Sequence, residues 1–176
     1  GGNDTLTFDT DGDLNKNDTV DAGAGTDAAA ITISTALADP FTLTNVEYVD
    51  LTITGAITVD LSGVASIERL DIENGTSANV AVSNLATGVT VRTFDANASL
   101  DVDTVAGATL TFDSQIDLTA GITVTDAATV NLGTTATAAS KSDFNAVALD
   151  DTDTTTLVVT GSTNAAADID TGAITG

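Results

Sequence analysis

The residues best suited to chemistry are aspartates that recur beside glycines near the start of the chain. Asp18 and Asp27 are nine residues apart, and Asp27 closes the glycine-rich stretch 23–26. Calcium takes roughly six to eight oxygen ligands at about 2.3–2.6 Å. Glycine-rich backbone can turn tightly enough to bring carbonyls and a carboxylate onto one point. A glycine turn, an aspartate and an inward aliphatic residue in a nine-residue pattern therefore predict calcium-binding turns.

The polar stretch before these turns has an oxygen-bearing side chain at every second position from residue 9 to residue 17. Asp9, Asp11, Asp13 and Asn15 alternate like the opening of a looped calcium site. The loop is not an EF-hand, because Leu14 stands where that motif needs glycine. A calcium-binding loop and a solvated polar loop both fit this stretch.

Other acids are weaker candidates for cation ligands. Glu47 and Asp50 follow the glycine-rich turns and could cap the last ion, with surface charge as the alternative. Asp101 and Asp103 point the same way from one strand, where an ion would relieve their repulsion. The last group consists of Asp150, Asp151 and Asp153. A second ion site and a solvated loop fit this group equally well.

The composition excludes most other chemistry. The 176 residues include 26 acidic and 4 basic ones, a net charge of -22, and no His, Cys, Met or Trp. Without Cys and His there is no disulfide, zinc finger, catalytic thiol or histidine triad. The charge repels nucleic acid and anionic membranes, and no apolar run approaches the roughly 20 residues of a membrane span. Cations are therefore the expected partners.

The distribution of the acids points to an all-β fold. Aspartate accounts for 23 of the 26 acids, and aspartate prefers turns and caps to helix interiors. Hydrophobic residues make up 42% of the chain and aromatic residues only 3%. We therefore expect strands joined by acidic turns around a thin core of small aliphatic side chains.

An internal repeat sets the architecture. Segment 46–51 recurs as segment 67–72, an offset of 21 residues that keeps two acids and three apolar positions. Aliphatic and threonine residues alternate along the segments, as in half-buried strands. The inward candidates form two series, Leu51, Ile72, Val91, Leu110 and Val130, and then Val59, Val80, Leu100 and Ile122. Strands this short must stack to bury their apolar faces, which predicts a parallel β-solenoid with about 20 residues per coil.

The alternative fold is an antiparallel sandwich with strands about every 10 residues. Within the solenoid, segment 142–149 is predicted to form a short capped helix. The chain divides into calcium-binding turns with the polar insertion at 1–30 and Thr/Val/Ala-rich coils at 31–176. We expect these to form one continuous body that is a fragment of a longer chain.

The order of these parts resembles the RTX-type bacterial surface-layer proteins. The likeness runs through the turn at 1–8, the polar insertion, the turn at 18–27 and segment 45–51, which leads into the coils. The order of parts is similar over nearly the whole chain, whereas the specific motifs cover residues 1 to about 51. The resemblance implies a calcium-bound β-solenoid, type I secretion without a cleaved signal, and assembly into an extracellular array.

The resemblance also implies functional residues and partners. Several Ca2+ ions would be held by aspartates and by the backbone of glycines, namely Asp4, Asp18, Asp27, Gly2, Gly23 and Gly25. Its partners would be other copies of the parent protein, with cell-surface polysaccharide bound through another domain. The expected location is the bacterial cell surface, and the absence of Cys fits that compartment. We expect the fragment alone to stay monomeric, because -22 charges repel a second copy.

Three other functions compete with this one. The main alternative is an extension or binding region of a giant RTX adhesin or a biofilm matrix protein. Ice binding needs threonine pairs in a coil-by-coil ladder, and the Thr-x-Thr segments here are irregularly spaced. A polysaccharide-cleaving enzyme needs a carboxylate pair with a basic or aromatic platform, which the sequence does not assign. We therefore expect a structural protein and not an enzyme.

Overall fold

The computed structural model describes residues 1–37, 39–74, 78–94, 99–114, 121–133, 142–143, 146–149, 156–159, 169–170 and 173–175, and these residues form strands and turns without a helix. The first eight strands are β1 (Thr5–Phe8), β2 (Thr19–Asp21), β3 (Ala28–Ile33), β4 (Thr42–Thr44), β5 (Tyr48–Ile53), β6 (Ile57–Asp60), β7 (Arg69–Asn74) and β8 (Asn79–Leu85). The later strands are β9 (Thr90–Thr93), β10 (Ser99–Ser114), β11 (Ile122–Gly133), β12 (Ser142–Asp143), β13 (Ala146–Leu149), β14 (Thr156–Val159), β15 (Ile169–Asp170) and β16 (Ala173–Thr175). No membrane-spanning helix occurs among the described residues.

The strands stack into a parallel β-solenoid of about 6 turns with about 21 residues per coil. One ladder runs through β1, β3, β5, β7 and β9 into the later parts of β10 and β11. A second ladder joins β6, β8, the first parts of β10 and β11, β13 and β16. The predicted solenoid is confirmed, and the antiparallel sandwich is wrong because every described strand pair is parallel.

The predicted helix at 142–149 is also wrong. Strands β12 and β13 lie in this segment, and β13 pairs with β11 and with β16. Val147 of β13 is fully buried. Pairing and burial between coils therefore outweigh the local capping signal, as tertiary context often does for short segments.

The predicted register is correct at most steps and wrong at two places. The 21-residue repeat is confirmed, because segment 48–53 pairs with segment 69–74. Val91, however, pairs with Leu70 and Phe112, two residues away from the predicted neighbours. Val59 likewise pairs with Val82 and not with Val80. A slip of two residues keeps a side chain on the same face of a strand, so the burial pattern alone did not fix the register.

One apolar core fills the space between the ladders. Its buried cluster includes residues from Leu14 in the polar insertion to Val147 in β13. The largest fully buried side chains are Leu, Ile and two phenylalanines, Phe41 and Phe112. The expected aliphatic core is therefore present, but its largest side chains are not small, and the insertion adds Leu14 to it.

Candidate functional site

The candidate site lies at a corner of the first coils, around Asp27. This residue precedes β3, and its side chain is 0% exposed. Its Oδ1 accepts a hydrogen bond of 2.6 Å from the backbone N–H of Asp4, whereas its buried Oδ2 has no hydrogen-bond partner. A buried carboxylate oxygen without a partner is costly in free energy. A cation bound at Oδ2 would remove that cost.

The glycine-rich turns stack closely at this corner. The backbone N–H of Gly2 donates to the carbonyl of Ala24 at 3.0 Å, and the N–H of Ala28 donates to the carbonyl of Asp4 at 2.9 Å. A Cβ at Gly25 would lie only 1.9 Å from the Gly2 carbonyl oxygen. The close approach of the two turns therefore requires glycine at position 25.

Glu47 occupies the equivalent corner of the next coil. Its Oε2 accepts a hydrogen bond of 2.7 Å from the backbone N–H of Asp27. The Asp27 carbonyl in turn accepts from the N–H groups of Glu47 and Tyr48 at 3.0 and 3.1 Å. Asp4, Asp27 and Glu47 thus follow one another through successive coils.

Side chains alone do not complete a metal site here. Within the described ranges, no group of three or more His, Cys, Asp or Glu side chains could hold a metal ion. Calcium takes backbone carbonyl oxygens as ligands in addition to carboxylates. A calcium ion beside Asp27 would therefore need backbone oxygens as well as carboxylates among its ligands.

Asp18 lies in a different part of the coil from Asp27. Its Oδ2 accepts hydrogen bonds from the backbone N–H of Asn15 at 2.8 Å and from Asn15 Nδ2 at 2.7 Å. Its carbonyl accepts from the N–H of Thr42 at 2.9 Å. The nine-residue spacing therefore places Asp18 before β2 and Asp27 before β3, and the coil neighbour of Asp27 is Asp4.

Two carboxylates of the polar insertion make hydrogen bonds, Asp11 to the body of the solenoid and Asp13 within the loop. Asp11 accepts hydrogen bonds from the Ser34 hydroxyl and, at 2.7 Å, from the Ser34 N–H. These bonds lower the pKa of Asp11 below its ordinary value. Asp13 Oδ2 accepts from the Thr10 N–H at 2.9 Å, and Asp9 is exposed. Asp11 and Asp13 therefore accept hydrogen bonds from different residues, Ser34 and Thr10.

Two further corners share a contact that the sequence analysis missed. Asp21 Oδ1 accepts from Asn45 Nδ2 at 2.7 Å, and Asp60 Oδ1 accepts from Asn84 Nδ2 at 3.1 Å. Each asparagine lies 24 residues after its aspartate and has a left-handed backbone, with φ of 57° and 58°. The Asn45 amide and then the Gly23 N–H lower the pKa of Asp21. We call this contact the Asp–Asn latch.

Asp103 lies in a third copy of this corner, with a different partner. Asp126 stands one residue beyond the register partner of Asp103, as the asparagines do in the Asp–Asn latch, and its φ is 65°. A carboxylate at position 126 cannot donate the amide hydrogen bond. Burial and then the charge of Asp126 raise the pKa of Asp103, against a hydrogen bond from the Asn84 N–H. The predicted neighbour Asp101 is exposed on the same strand.

The two arginines lie together on one sheet face. Arg69 Nε and Arg92 Nε lie 3.1 and 3.5 Å from Asp71 Oδ1. Neither Nε makes a hydrogen bond of ordinary geometry, so both contacts are described as ion pairs. Burial raises the pKa of Asp71 despite both guanidinium groups, and nearby Asp50 adds to the rise. Asp50 thus lies beside Asp71 in the sheet.

The last predicted acidic group, Asp150, Asp151 and Asp153, lies outside the described residues.

Comparisons of the chain with protein-family models, curated proteins and solved structures found no match. The resemblance to RTX-type surface-layer proteins therefore stays a prediction.

Proposed function

We propose that this chain is a structural segment of a secreted, calcium-dependent bacterial surface-layer protein. In this proposal the chain folds on binding Ca2+ outside the cell and assembles laterally into an extracellular array. The buried, unpartnered Oδ2 of Asp27 carries the proposal. It lies where two glycine-rich turns stack, which is a suitable place for a cation that takes mostly oxygen ligands.

The net charge supports a role for calcium in folding. A compact body with a charge of -22 is destabilised by repulsion among its own acids. Each bound divalent ion removes two negative charges. With a site dissociation constant of ~0.1 mM and ~1 mM free ion, each independent site adds about 1.4 kcal/mol to folding. The same site adds almost nothing at the sub-micromolar calcium of a cytoplasm, so the chain would stay export-competent until it leaves the cell.

The fold supports a scaffolding role. A solenoid buries one continuous core along its axis and presents extended surfaces for binding. Lateral contact between copies with this charge needs bridging cations, because the basic residues number only 4. Calcium would then serve twice, first in folding a coil stack and afterwards in joining neighbouring stacks.

The second candidate is the extension region of an RTX adhesin or a biofilm matrix protein, which the same coil stack would also suit. Electron microscopy of the parent protein with calcium and with chelator separates the two. Sheets that form in calcium and disperse in chelator support the array. Sheets that persist in chelator, or a parent protein that stays monomeric in calcium, contradict it.

A further inference from the structure

Glu47 and Asp27 bring two carboxyl groups to one corner of neighbouring coils. The Glu47 carboxylate accepts from the Asp27 N–H at 2.7 Å, across a sequence separation of 20 residues. The side chain of Asp27 is buried, with one oxygen unpartnered. None of the ion pairs in the described part of the chain involves either acid. The corner therefore concentrates negative charge without a basic side chain to balance it.

We propose that Glu47 supplies the second carboxylate of the cation site at Asp27, so that one calcium ion joins the glycine-rich turns to the following coil. This inference rests on the proposed function and names a ligand from beyond the turns. Glu47 belongs to the third coil, and its carbonyl accepts from the N–H groups of Glu68 and Arg69 in the fourth coil at 2.8 and 3.1 Å. Calcium binding would then order the third coil together with the first two.

Electrostatics favour this assignment over a purely capping role for Glu47. The number of charged ligands tunes the affinity of a calcium site, and a single buried carboxylate is a weak divalent site. Glu47 has a second oxygen besides the one that accepts from Asp27. The same side chain can therefore hold the backbone of Asp27 and contribute charge to an ion beside it.

Glu47→Gln separates the two roles. Glutamine keeps a side-chain oxygen that can accept from the Asp27 N–H, and it loses only the charge. Glu68→Gln is the matched control, since Glu68 follows Glu47 in the next coil and is exposed. Titration with CaCl2 by isothermal calorimetry is expected to show at least ~10-fold weaker binding in Glu47→Gln and less than ~2-fold in Glu68→Gln.

The outcomes distinguish this inference from the proposed function. Equal calcium affinities in Glu47→Gln and Glu68→Gln overturn the role of Glu47. If Asp27→Asn nevertheless loses calcium binding, the proposed calcium site at Asp27 still holds. A wild-type chain that binds no calcium overturns both. Glu47→Asp keeps the charge on a shorter side chain and is expected to bind more tightly than Glu47→Gln. The reverse order also overturns the inference.

Discussion

Replacing Asp126 by asparagine is expected to stabilise the protein, although most substitutions destabilise. Asp126 has a left-handed backbone, as Asn45 and Asn84 do in the Asp–Asn latch. Asn84 donates its side-chain amide across coils at 3.1 Å. At the third corner, Asp126 faces Asp103 with a like charge that contributes to the raised pKa of Asp103. Asp126→Asn restores the donor and removes the repulsion.

The size of the gain follows from these two effects. A hydrogen bond contributes about 0.5–1.5 kcal/mol net. Both carboxylates are only partly buried, so relief of their repulsion adds at most about 1 kcal/mol after solvent screening. The total of about 0.5–2.5 kcal/mol corresponds to a rise in melting temperature of about 1–10 °C for a chain of this length.

The assay is thermal unfolding followed by circular dichroism at pH 7 and saturating calcium. Asn84→Asp is the reciprocal control and is expected to lose about as much stability as Asp126→Asn gains. Asp101→Asn is the charge control, because it removes one negative charge from an exposed position on the strand of Asp103. Its melting temperature is expected to change by less than half as much.

The gain is also expected to depend on pH. The pKa of Asp103 is raised above its unfolded value of 3.8. Protonation of Asp103 therefore stabilises the folded state. This contribution is fully present below pH 3.8 and is lost as the pH rises through the pKa of the folded protein. The advantage of Asp126→Asn should thus shrink as the pH is lowered from 7 towards 4. A variant that is less stable than the wild type at pH 7, or a gain equal to that of Asp101→Asn, would refute the reasoning.

Three further substitutions test the packing of the coils by thermal unfolding. Gly25→Ala places a Cβ 1.9 Å from the Gly2 carbonyl oxygen and is expected to destabilise the fold by about 2–4 kcal/mol. A Cβ at Gly23 meets nothing within 4 Å. Gly23→Ala should therefore cost only about 1–2 kcal/mol, which comes from its φ of +91°. Similar losses at both glycines would contradict the close stacking of the turns. Leu70→Ala, at a fully buried position paired with Val49 and Val91, is expected to lose about 2–5 kcal/mol. A loss below about 1 kcal/mol would show that this part of the core is loosely packed.

The solenoid could be predicted because its sequence repeats with the period of its coils. The offset of 21 residues that relates Val49 to Leu70 is also the observed register. The placement of Val91 failed because burial repeats every two residues along a strand, so a slip of two leaves the hydrophobic pattern unchanged. The helix at 142–149 failed because capping is a local signal, and the pairing of β13 with distant strands is not.

The candidate site was only partly predictable. The glycine turns pointed to Asp27, but its buried Oδ2 and its contact with Glu47 depend on how coils separated by 20 residues stack. Asp126 was missed because a left-handed backbone is not evident from one residue type. A signal was nevertheless present, since Asp21 and Asp60 both follow Thr-Val, and each precedes an asparagine by 24 residues.

Calcium titration of the isolated chain, followed by far-UV circular dichroism with magnesium as the control, tests the central claim most directly. Strand signal and melting temperature are expected to rise with calcium and to fall when chelator is added. Asp27→Asn should need much more calcium than Asp39→Asn, which removes the same charge from an exposed side chain paired with Lys16 at 3.8 Å. Spectra and melting temperatures that chelator leaves unchanged, or equal calcium requirements in the two variants, would contradict a calcium site at Asp27.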